Sequence, residues 1–189
     1  MKLVIGITGS SGILYGIRML EALKRYKIDA HLIMSEWATK CLKLETDYDL
    51  KYVRSLTKNY FEDSNMAASV SSGTFKTDGM IVIPCSMKTL SSIANGYEET
   101  LVARAAGVTM KESRKLVIVP RETPLTSIHL ENMLKLARIG VVILPAMPGF
   151  YNKPKSVDEL LNHIVGKCLD QFDINHDLFK RWGTPKPHR

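Results

Sequence analysis

Two short loops of the sequence combine residue types that suit the binding of a phosphate group. Residues 9–12 (Gly-Ser-Ser-Gly) follow an apolar run and precede a helical stretch, and Ser86 and Thr89 occupy the same position later in the chain. Glycine lets the backbone approach a ligand, and the first N–H groups of a helix can bind an anion. The first loop would also suit a tight turn without a ligand, and Ser86 a helix N-cap. Together the two loops favour a mononucleotide site.

Five short apolar runs predict the strands that would position these loops. Each run is nearly continuous, which is typical of strands buried on both faces of a parallel sheet. The predicted strands are Leu3–Ile7, Ala30–Met34, Met80–Pro84, Leu116–Val119 and Val141–Leu144.

Helical stretches alternate with these runs, and the last helix has the clearest pattern. It covers about residues 156–169, where Ser156 and Glu159 form a capping box ahead of an apolar stripe. The alternation predicts one α/β domain over residues 1–189, a doubly wound parallel sheet in three α/β/α layers. Ligands of such sheets bind beyond the carboxyl ends of the strands, where both loops lie. The earlier predicted helices are Gly12–Tyr26, Glu36–Leu44, Thr89–Gly96, Glu99–Met110 and Thr126–Arg138.

Composition narrows the class of protein. The net charge of +7 favours an anionic partner, but the basic residues are dispersed and accompany no nucleic-acid motif. Three widely separated cysteines predict neither a disulfide framework nor a zinc site, and they fit a reducing cytoplasm. No run of 18 apolar residues occurs, so no membrane span is expected. A basic tail, about 180–189, is expected to be solvated.

Several longer segments resemble the flavin prenyltransferase (UbiX-type) family, formerly labelled phenylacrylic or aromatic acid decarboxylases. The resemblance covers the chain from Leu3 to Gly183 and is most specific between Arg121 and Tyr151. The segments that carry it are residues 9–12, Pro84-Cys85-Ser86 with Thr89, 119–124 (Val-Pro-Arg-Glu-Thr-Pro), 128–133 (Ile-His-Leu-Glu-Asn-Met) and 148–151 (Pro-Gly-Phe-Tyr).

The resemblance implies a flavodoxin-like Rossmann fold assembled into a homododecamer. It implies transfer of the dimethylallyl group of dimethylallyl monophosphate to N5 of reduced FMN, followed by ring closure at C6. The prenylated FMN would pass to a UbiD-type decarboxylase. Neither the choice between monophosphate and diphosphate nor the receiving decarboxylase is fixed by the sequence.

The same resemblance assigns roles to individual residues. The flavin-binding set is Gly9, Ser10, Ser11, Ser35, Ser86, Met87, Lys88, Thr89 and Arg121. The prenyl-phosphate binders are Tyr151 and Lys167. The remaining active-site positions, with Ser11, are Glu45, Arg104, Lys111, Glu122 and Trp182, and some are expected to reach across subunits. Met87 and Lys88 depart from the smaller residues that relatives often carry in that loop.

The residue inventory suits this chemistry without a metal. No DDxxD motif, which usually holds magnesium in diphosphate-using prenyltransferases, occurs in the sequence, whereas arginine, lysine and tyrosine can hold a monophosphate. Simpler interpretations stay open for single residues. Glu122 could form a salt bridge with Arg121, Trp182 could pack, Lys167 could be solvated, and His129 is expected to be structural.

Three other functions would use some of the same residues or the same fold. A nicotinamide-dependent dehydrogenase would use Tyr151 and Lys155 on one helical turn, but Pro154 lies between them and would break that helix. An FMN-dependent decarboxylase of the phosphopantothenoylcysteine type would need a histidine in the helix after the early loop, and none occurs before His31. A non-catalytic FMN-binding accessory protein would be favoured by loss of Glu122, Tyr151 or Lys167, and all three are present.

Overall fold

The computed structural model describes residues 1–183, which form a six-stranded sheet covered by helices on both faces. All neighbouring strands pair in parallel. This confirms the predicted doubly wound α/β fold. The strands are β1 (Lys2–Ile7), β2 (Asp29–Met34), β3 (Asn59–Glu62), β4 (Gly79–Cys85), β5 (Lys115–Pro120) and β6 (Val142–Ile143).

Seven α-helices and one short 3-10 helix connect or follow the strands within the described part of the chain. The 3-10 helix covers Ser69–Ser71. The α-helices are α1 (Ile13–Arg25), α2 (Glu36–Glu45), α3 (Leu50–Ser55), α4 (Met87–Ala94), α5 (Leu101–Lys111), α6 (Ser127–Arg138) and α7 (Val157–Asp170).

The strand order is β3-β2-β1-β4-β5-β6, so the direction of winding reverses between β1 and β4. These two strands are in register from Leu3 opposite Gly79 to Gly6 opposite Val82. The loops that follow them leave in opposite directions and open a crevice at their carboxyl ends. Without the edge strand β3, the order is the flavodoxin-like one.

Alternation along β1 divides the core between the two faces of the sheet. Leu3, Ile5 and Ile7 pack on one face, with α1 and α7. Val4 packs on the other, with α4 and α5. Helix α1 lies close to the sheet because Gly16 lacks a side chain: a Cβ there would stand 2.8 Å from the carbonyl oxygen of Ile83. The close packing fixes where the loop before α1 can lie.

Some elements differ from the sequence prediction. Strand β3 and helix α3 were not predicted, β6 is only two residues long, and α4 begins at Met87 rather than Thr89. Strand β3 lies at the sheet edge and is only half buried, so it lacks the continuous apolar run used to find the others.

The last helix begins where the capping pattern places it, with one difference in the cap. The hydroxyl of Ser156 accepts a hydrogen bond from the N–H of Glu159 at 3.3 Å, but the carboxylate of Glu159 reaches the N–H of Lys155 at 2.9 Å. The basic tail lies mostly outside the described residues. None of the helices within residues 1–183 is both long and apolar enough to cross a membrane.

Candidate active site

Thr8 joins the two loops at the point where the strand order reverses. Its hydroxyl donates a hydrogen bond to the carbonyl oxygen of Pro84 at 2.9 Å and accepts one from the N–H of Ser86 at 2.8 Å. Its own N–H donates to the same carbonyl at 3.2 Å. The side chain is only 1% exposed. Because both loops are bound to one buried side chain, their relative position is fixed.

Arg121 adds the loop after β5 to this junction. Its carbonyl oxygen accepts a hydrogen bond from the hydroxyl of Ser10 at 2.7 Å, and its Nε donates to that hydroxyl at 3.3 Å. Its N–H donates to the carbonyl oxygen of Cys85 at 3.3 Å. The guanidinium therefore lies beside the Gly-Ser-Ser-Gly loop, where it can meet an anion.

Two of the predicted flavin-binding serines are helix N-caps. Ser35 accepts a hydrogen bond from the N–H of Ala38 at 3.1 Å, and Ser86 accepts one from the N–H of Thr89 at 3.3 Å. Capping supports the helix but leaves the remaining N–H groups of the first turn available. Met87 and Lys88 are the first two residues of α4, so both backbone N–H groups lie at this helix terminus.

Glu45 lies at the N-terminus of α1 in the same chain. Its Oε2 accepts hydrogen bonds from the N–H groups of Gly12, at 2.8 Å, and Ile13, at 3.2 Å. A carboxylate is stabilised there by the positive end of the helix. Burial and then the negative charge of Glu45 raise the pKa of the nearby Cys41 thiol, which the charge of Arg121 opposes. The structure thus brings Glu45 and Arg121 together around one loop without a second subunit.

Gly9 lets the first loop pack closely against α2, in addition to letting its backbone approach a ligand. A Cβ at this position would overlap the Cβ of Trp37, near the start of α2. The ring of Trp37 is largely exposed beside this loop. Any larger residue at position 9 would therefore displace α2 and its cap together.

A cavity of about 250 Å³ opens beside Arg121. Glu122 lines it but is exposed, and its Oε1 accepts a hydrogen bond from the N–H of Thr123 at 3.0 Å. The remaining lining is mainly apolar and comes from the segments after β5 and β6: Pro120, Leu125, Met133, Pro145, Ala146 and Met147. A cation at one side and apolar walls on the others suit a flat ring that carries a phosphate.

Tyr151 and Trp182 form an aromatic group near α7. Their ring centroids are 5.5 Å apart at 86°, and the ring of Tyr151 lies 5.8 Å from that of His163 at 78°. The Nδ1 of His163 accepts a hydrogen bond from the N–H of Gly149 at 3.2 Å, which fixes the loop that carries Tyr151. Burial and then the charge of Lys167 lower the pKa of His163, so this acceptor is neutral at neutral pH. Lys167 follows His163 by four residues on α7 and so lies on the same side of this helix.

Arg104 and Lys111 lie elsewhere in the single chain. Both line a separate cleft of about 520 Å³ with the loop of residues 71–74. Arg104 pairs with Glu98 at 2.6 Å, and Lys111 pairs with Glu112 at 2.5 Å. Helix α5 ends at Lys111, only four residues before β5 begins, so this lysine lies toward the amino ends of the strands. One chain therefore does not bring these two cations to the junction of the loops.

Sequence reasoning missed residues that position the site. Thr8 lies between the first predicted strand and the Gly-Ser-Ser-Gly loop, and no sequence signal marks its side chain as a bridge. Asp63 follows the unpredicted β3 and accepts a hydrogen bond from the N–H of Val102 at 2.8 Å, at the start of α5. Burial raises the pKa of Asp63. His129 is structural, since its Nδ1 accepts from the N–H of Thr126 at 3.3 Å.

The donor set fits an FMN-type ligand on structural grounds. Serine hydroxyls, helix N-termini and one guanidinium converge on the crevice, and an apolar cavity adjoins them. Within residues 1–183, no cluster of three or more histidine, cysteine, aspartate or glutamate side chains could hold a metal ion.

Comparison with known proteins agrees with this geometry. The family model described as "Flavoprotein" matches residues 1–169. A probable UbiX-like flavin prenyltransferase of Escherichia coli O157:H7 is 50% identical over 98% of this chain and 95% of its own length.

Two solved structures have nearly the same fold. A dodecameric FMN-dependent UbiX-like decarboxylase from Escherichia coli O157:H7 has a TM-score of 0.95 at 50% identity, covering 97% of this chain and 100% of its own. AnUbiX (PadA1), solved with FMN and dimethylallyl pyrophosphate, has a TM-score of 0.95 at 47% identity, covering 98% of each chain. This chain therefore belongs to the flavoprotein family and, within it, to the UbiX-like flavin prenyltransferases.

Proposed function

We propose that this protein transfers the dimethylallyl group of dimethylallyl monophosphate to reduced FMN. The product would be an FMN prenylated at N5 and closed into a ring at C6. The observation that carries the proposal is the joining of three loops by Thr8, Ser10 and Arg121 at the reversal of the strand order. The relative solved with FMN and dimethylallyl pyrophosphate has the same fold at 47% identity, which supports both ligand classes.

The junction would hold FMN through two kinds of donor. Arg121 lies beside the Ser10 hydroxyl and would supply the charge opposite the flavin phosphate. The other donors would be the hydroxyls and backbone N–H groups at the helix starts: Gly9, Ser10, Ser11, Ser35, Ser86, Met87, Lys88 and Thr89. The apolar cavity beside Arg121 would cover part of the ring system.

Tyr151 and Lys167 would bind the phosphate of the prenyl donor. Reduced FMN supplies the nucleophilic nitrogen when it is bound. As the C–O bond of the donor breaks, negative charge collects on the leaving phosphate, and an ammonium with a phenol would stabilise it without a metal. Trp182 lies edge-to-face on Tyr151 and would shield the allylic group from water, with its π face available to positive charge.

Two carboxylates lie where they could exchange protons. Glu45 is held at the start of α1 beside the exposed Ser11, and Glu122 lines the cavity beside Arg121. We assign to them proton exchange with the phosphate or the flavin. The hydrogen bonds of Glu45 lie within one chain, so its role needs no partner subunit.

Arg104 and Lys111 would act across a subunit boundary, because one chain places them away from the junction. Exposed apolar side chains on and beside α6 support assembly: Ile128, Leu130, Leu134 and Ile139. A relative of 50% identity is described as dodecameric. We propose that this chain also forms a homododecamer whose contacts complete the sites.

The setting of the reaction follows from the same proposal. The three cysteines are free thiols, which fits a reducing cytoplasm. We propose that residues 1–189 belong to one flavoprotein domain. A flavin prenylated at N5 is itself a cofactor, so its recipient would be a decarboxylase of the UbiD type.

Mass spectrometry of the flavin tests the proposal directly. After anaerobic incubation with reduced FMN and dimethylallyl monophosphate, we expect the flavin to gain the mass of one dimethylallyl group less one hydrogen. Parallel reactions without protein, and with dimethylallyl diphosphate, give the background and the donor preference. An unchanged flavin mass with both donors would contradict the proposed function.

Thr8→Val should weaken FMN binding, because it leaves the partly buried N–H of Ser86 without its acceptor. The unpaired group costs about 1–3 kcal/mol, and we expect the FMN dissociation constant to rise about tenfold. Fluorescence quenching titration measures it. Thr109→Val is the matched control, since that buried hydroxyl bonds within its own helix, to Ala105 at 2.7 Å. Equal FMN affinity in the Thr8 variant and the parent would show that the junction does not position the flavin.

Lys167→Ala and Tyr151→Phe should impair use of the prenyl donor and spare FMN. A hydrogen bond to a charged group contributes about 1.5–3 kcal/mol, so each change should lower kcat/KM for dimethylallyl monophosphate about 10- to 150-fold. Lys167→Ala should cost more, because it also removes a charge. FMN affinity should stay within about threefold of the parent. A variant that loses FMN affinity but keeps normal donor kinetics would refute the division into two sites.

Assembly can be tested by particle mass and by complementation. Light scattering should give about twelve times the 21.2 kDa chain mass. If Arg104 acts in a neighbour's site, then coexpressed Arg104→Ala and Lys167→Ala chains should recover part of the activity that each lacks alone. The control pair, Tyr151→Phe with Lys167→Ala, should recover none, because both residues belong to the same chain's site. A fully active monomer, or equal recovery by both pairs, would contradict the cross-subunit role.

A further inference from the structure

The chain segment after α7 turns back and packs on that helix. The segment covers residues 171–183, and we call it the C-terminal strap. It begins with a turn closed by the N–H of Ile174 and the carbonyl oxygen of Leu169 at 3.2 Å. The strap touches the helix at Gly166, where a Cβ would stand 2.5 Å from the ring of Phe179 and 2.7 Å from that of His176. The contact leaves no room between strap and helix.

Asp170 is the charged centre of this contact. Its carboxylate binds the guanidinium of Arg181 through two nitrogen atoms, at 2.6 and 3.2 Å, and the Nε2 of His176 at 3.1 Å. The side chain of Asp170 is 19% exposed and that of His176 is fully covered. Burial would raise the pKa of Asp170, but Arg181 and His176 outweigh it and lower the pKa below its ordinary value. The carboxylate is therefore ionised at neutral pH.

Arg181 immediately precedes Trp182, so a bond that restrains Arg181 also restrains the backbone position of Trp182. The Trp182 ring is 81% exposed, and the ring contact that positions it is the edge-to-face one with Tyr151 at 5.5 Å. A side chain so exposed has little buried area to fix it, and its place depends on the backbone next to it. The two-point bond of Arg181 to Asp170 supplies that constraint.

Asp170 also lies 3.7 Å from the ammonium of Lys167. Because Arg181 and His176 already satisfy the carboxylate, Lys167 can leave it for a phosphate at little cost. The strap has a second tether, since Asp177 binds Arg25 at 2.7 Å. Loss of Asp170 would therefore remove the two-point bond next to Trp182 and leave the second tether of the strap in place.

We propose that Asp170 is a positioning residue of the prenyl-phosphate site, which fixes Trp182 against Tyr151 through Arg181. This inference rests on the proposed function for the role of Tyr151, but the positioning of the strap is a separate physical claim. Asp170 touches neither ligand in this scheme; it acts through the strap.

Kinetics of Asp170→Asn test the proposal against a merely structural role. We expect KM for dimethylallyl monophosphate to rise about tenfold, with the FMN dissociation constant within about twofold of the parent. In a Trp182→Leu background the same change should raise KM no further, because the residue it positions is gone. The matched control is Asp158→Asn, another α7 carboxylate paired with an arginine, Arg18 at 2.5 Å, which should leave KM unchanged.

The fluorescence anisotropy of Trp182 measures how firmly the strap is held, and it requires no catalytic turnover. In a Trp37→Phe background, Trp182 is the remaining tryptophan, and its anisotropy should fall in Asp170→Asn and stay at the parent value in Asp158→Asn. If the parent does not prenylate FMN, the proposed function fails, and the anisotropy still decides the positioning claim. Arg181→Lys, which keeps the charge but not the two-point bond, should repeat both effects if Asp170→Asn does not fold.

Two outcomes would overturn the proposal. One is an equal rise in KM with and without Trp182, which would mean that Asp170 acts independently of the strap. The other is an unchanged anisotropy of Trp182 in a folded Asp170→Asn protein.

Discussion

Thr8 joins the two strands between which the winding of the sheet reverses, and the other contacts of the site follow from that position. Its hydroxyl donates to Pro84, near the end of β4, and accepts from Ser86, just after that strand. The ends of β1 and β4 therefore cannot separate without leaving these polar groups unpaired. Ser10 and Arg121 then attach the loop after β5. Three helix starts and one guanidinium are thereby held around one crevice by backbone geometry rather than by long side chains.

At the N-terminus of α1, some backbone N–H groups bind Glu45 and others are left for a ligand. Glu45 occupies the N–H groups of Gly12 and Ile13, so an anion at this loop would meet the N–H groups of the preceding residues and the guanidinium of Arg121. The carboxylate of Glu45 accepts from Gly12 and Ile13 and the Nε of Arg121 donates to Ser10, so both charges lie near the same loop. A carboxylate and a guanidinium thus lie at the same loop, and under the proposed function they would act as a proton carrier and as the cation opposite the flavin phosphate.

The sequence predicted the parts of this fold that depend on continuous burial, and it missed the parts that depend on edges and single contacts. Central strands such as β1 and β4 are buried on both faces and were found from their apolar runs. The edge strand β3 is half exposed and has no such run. Loop residues of the site were identified by resemblance, but spacing along the chain contains no information on which subunit a side chain serves. Arg104 and Lys111 could therefore not be placed by sequence, and the bridge made by Thr8 has no pattern of its own.

The two halves of the site differ in what holds them. The half proposed to bind the flavin is built on strand ends and helix caps, whose hydrogen bonds belong to the backbone framework. The half proposed to bind the prenyl phosphate depends on side chains: His163 bonds to the loop of Tyr151, and Asp170 bonds to Arg181 of the strap that carries Trp182. Side-chain contacts at a partly exposed surface can exchange partners at low cost, as Lys167 can between Asp170 and a phosphate. Under the proposed function, a rigid half would hold the flavin in place while an adjustable half admits the small donor and releases its phosphate, before the prenylated flavin leaves as the product.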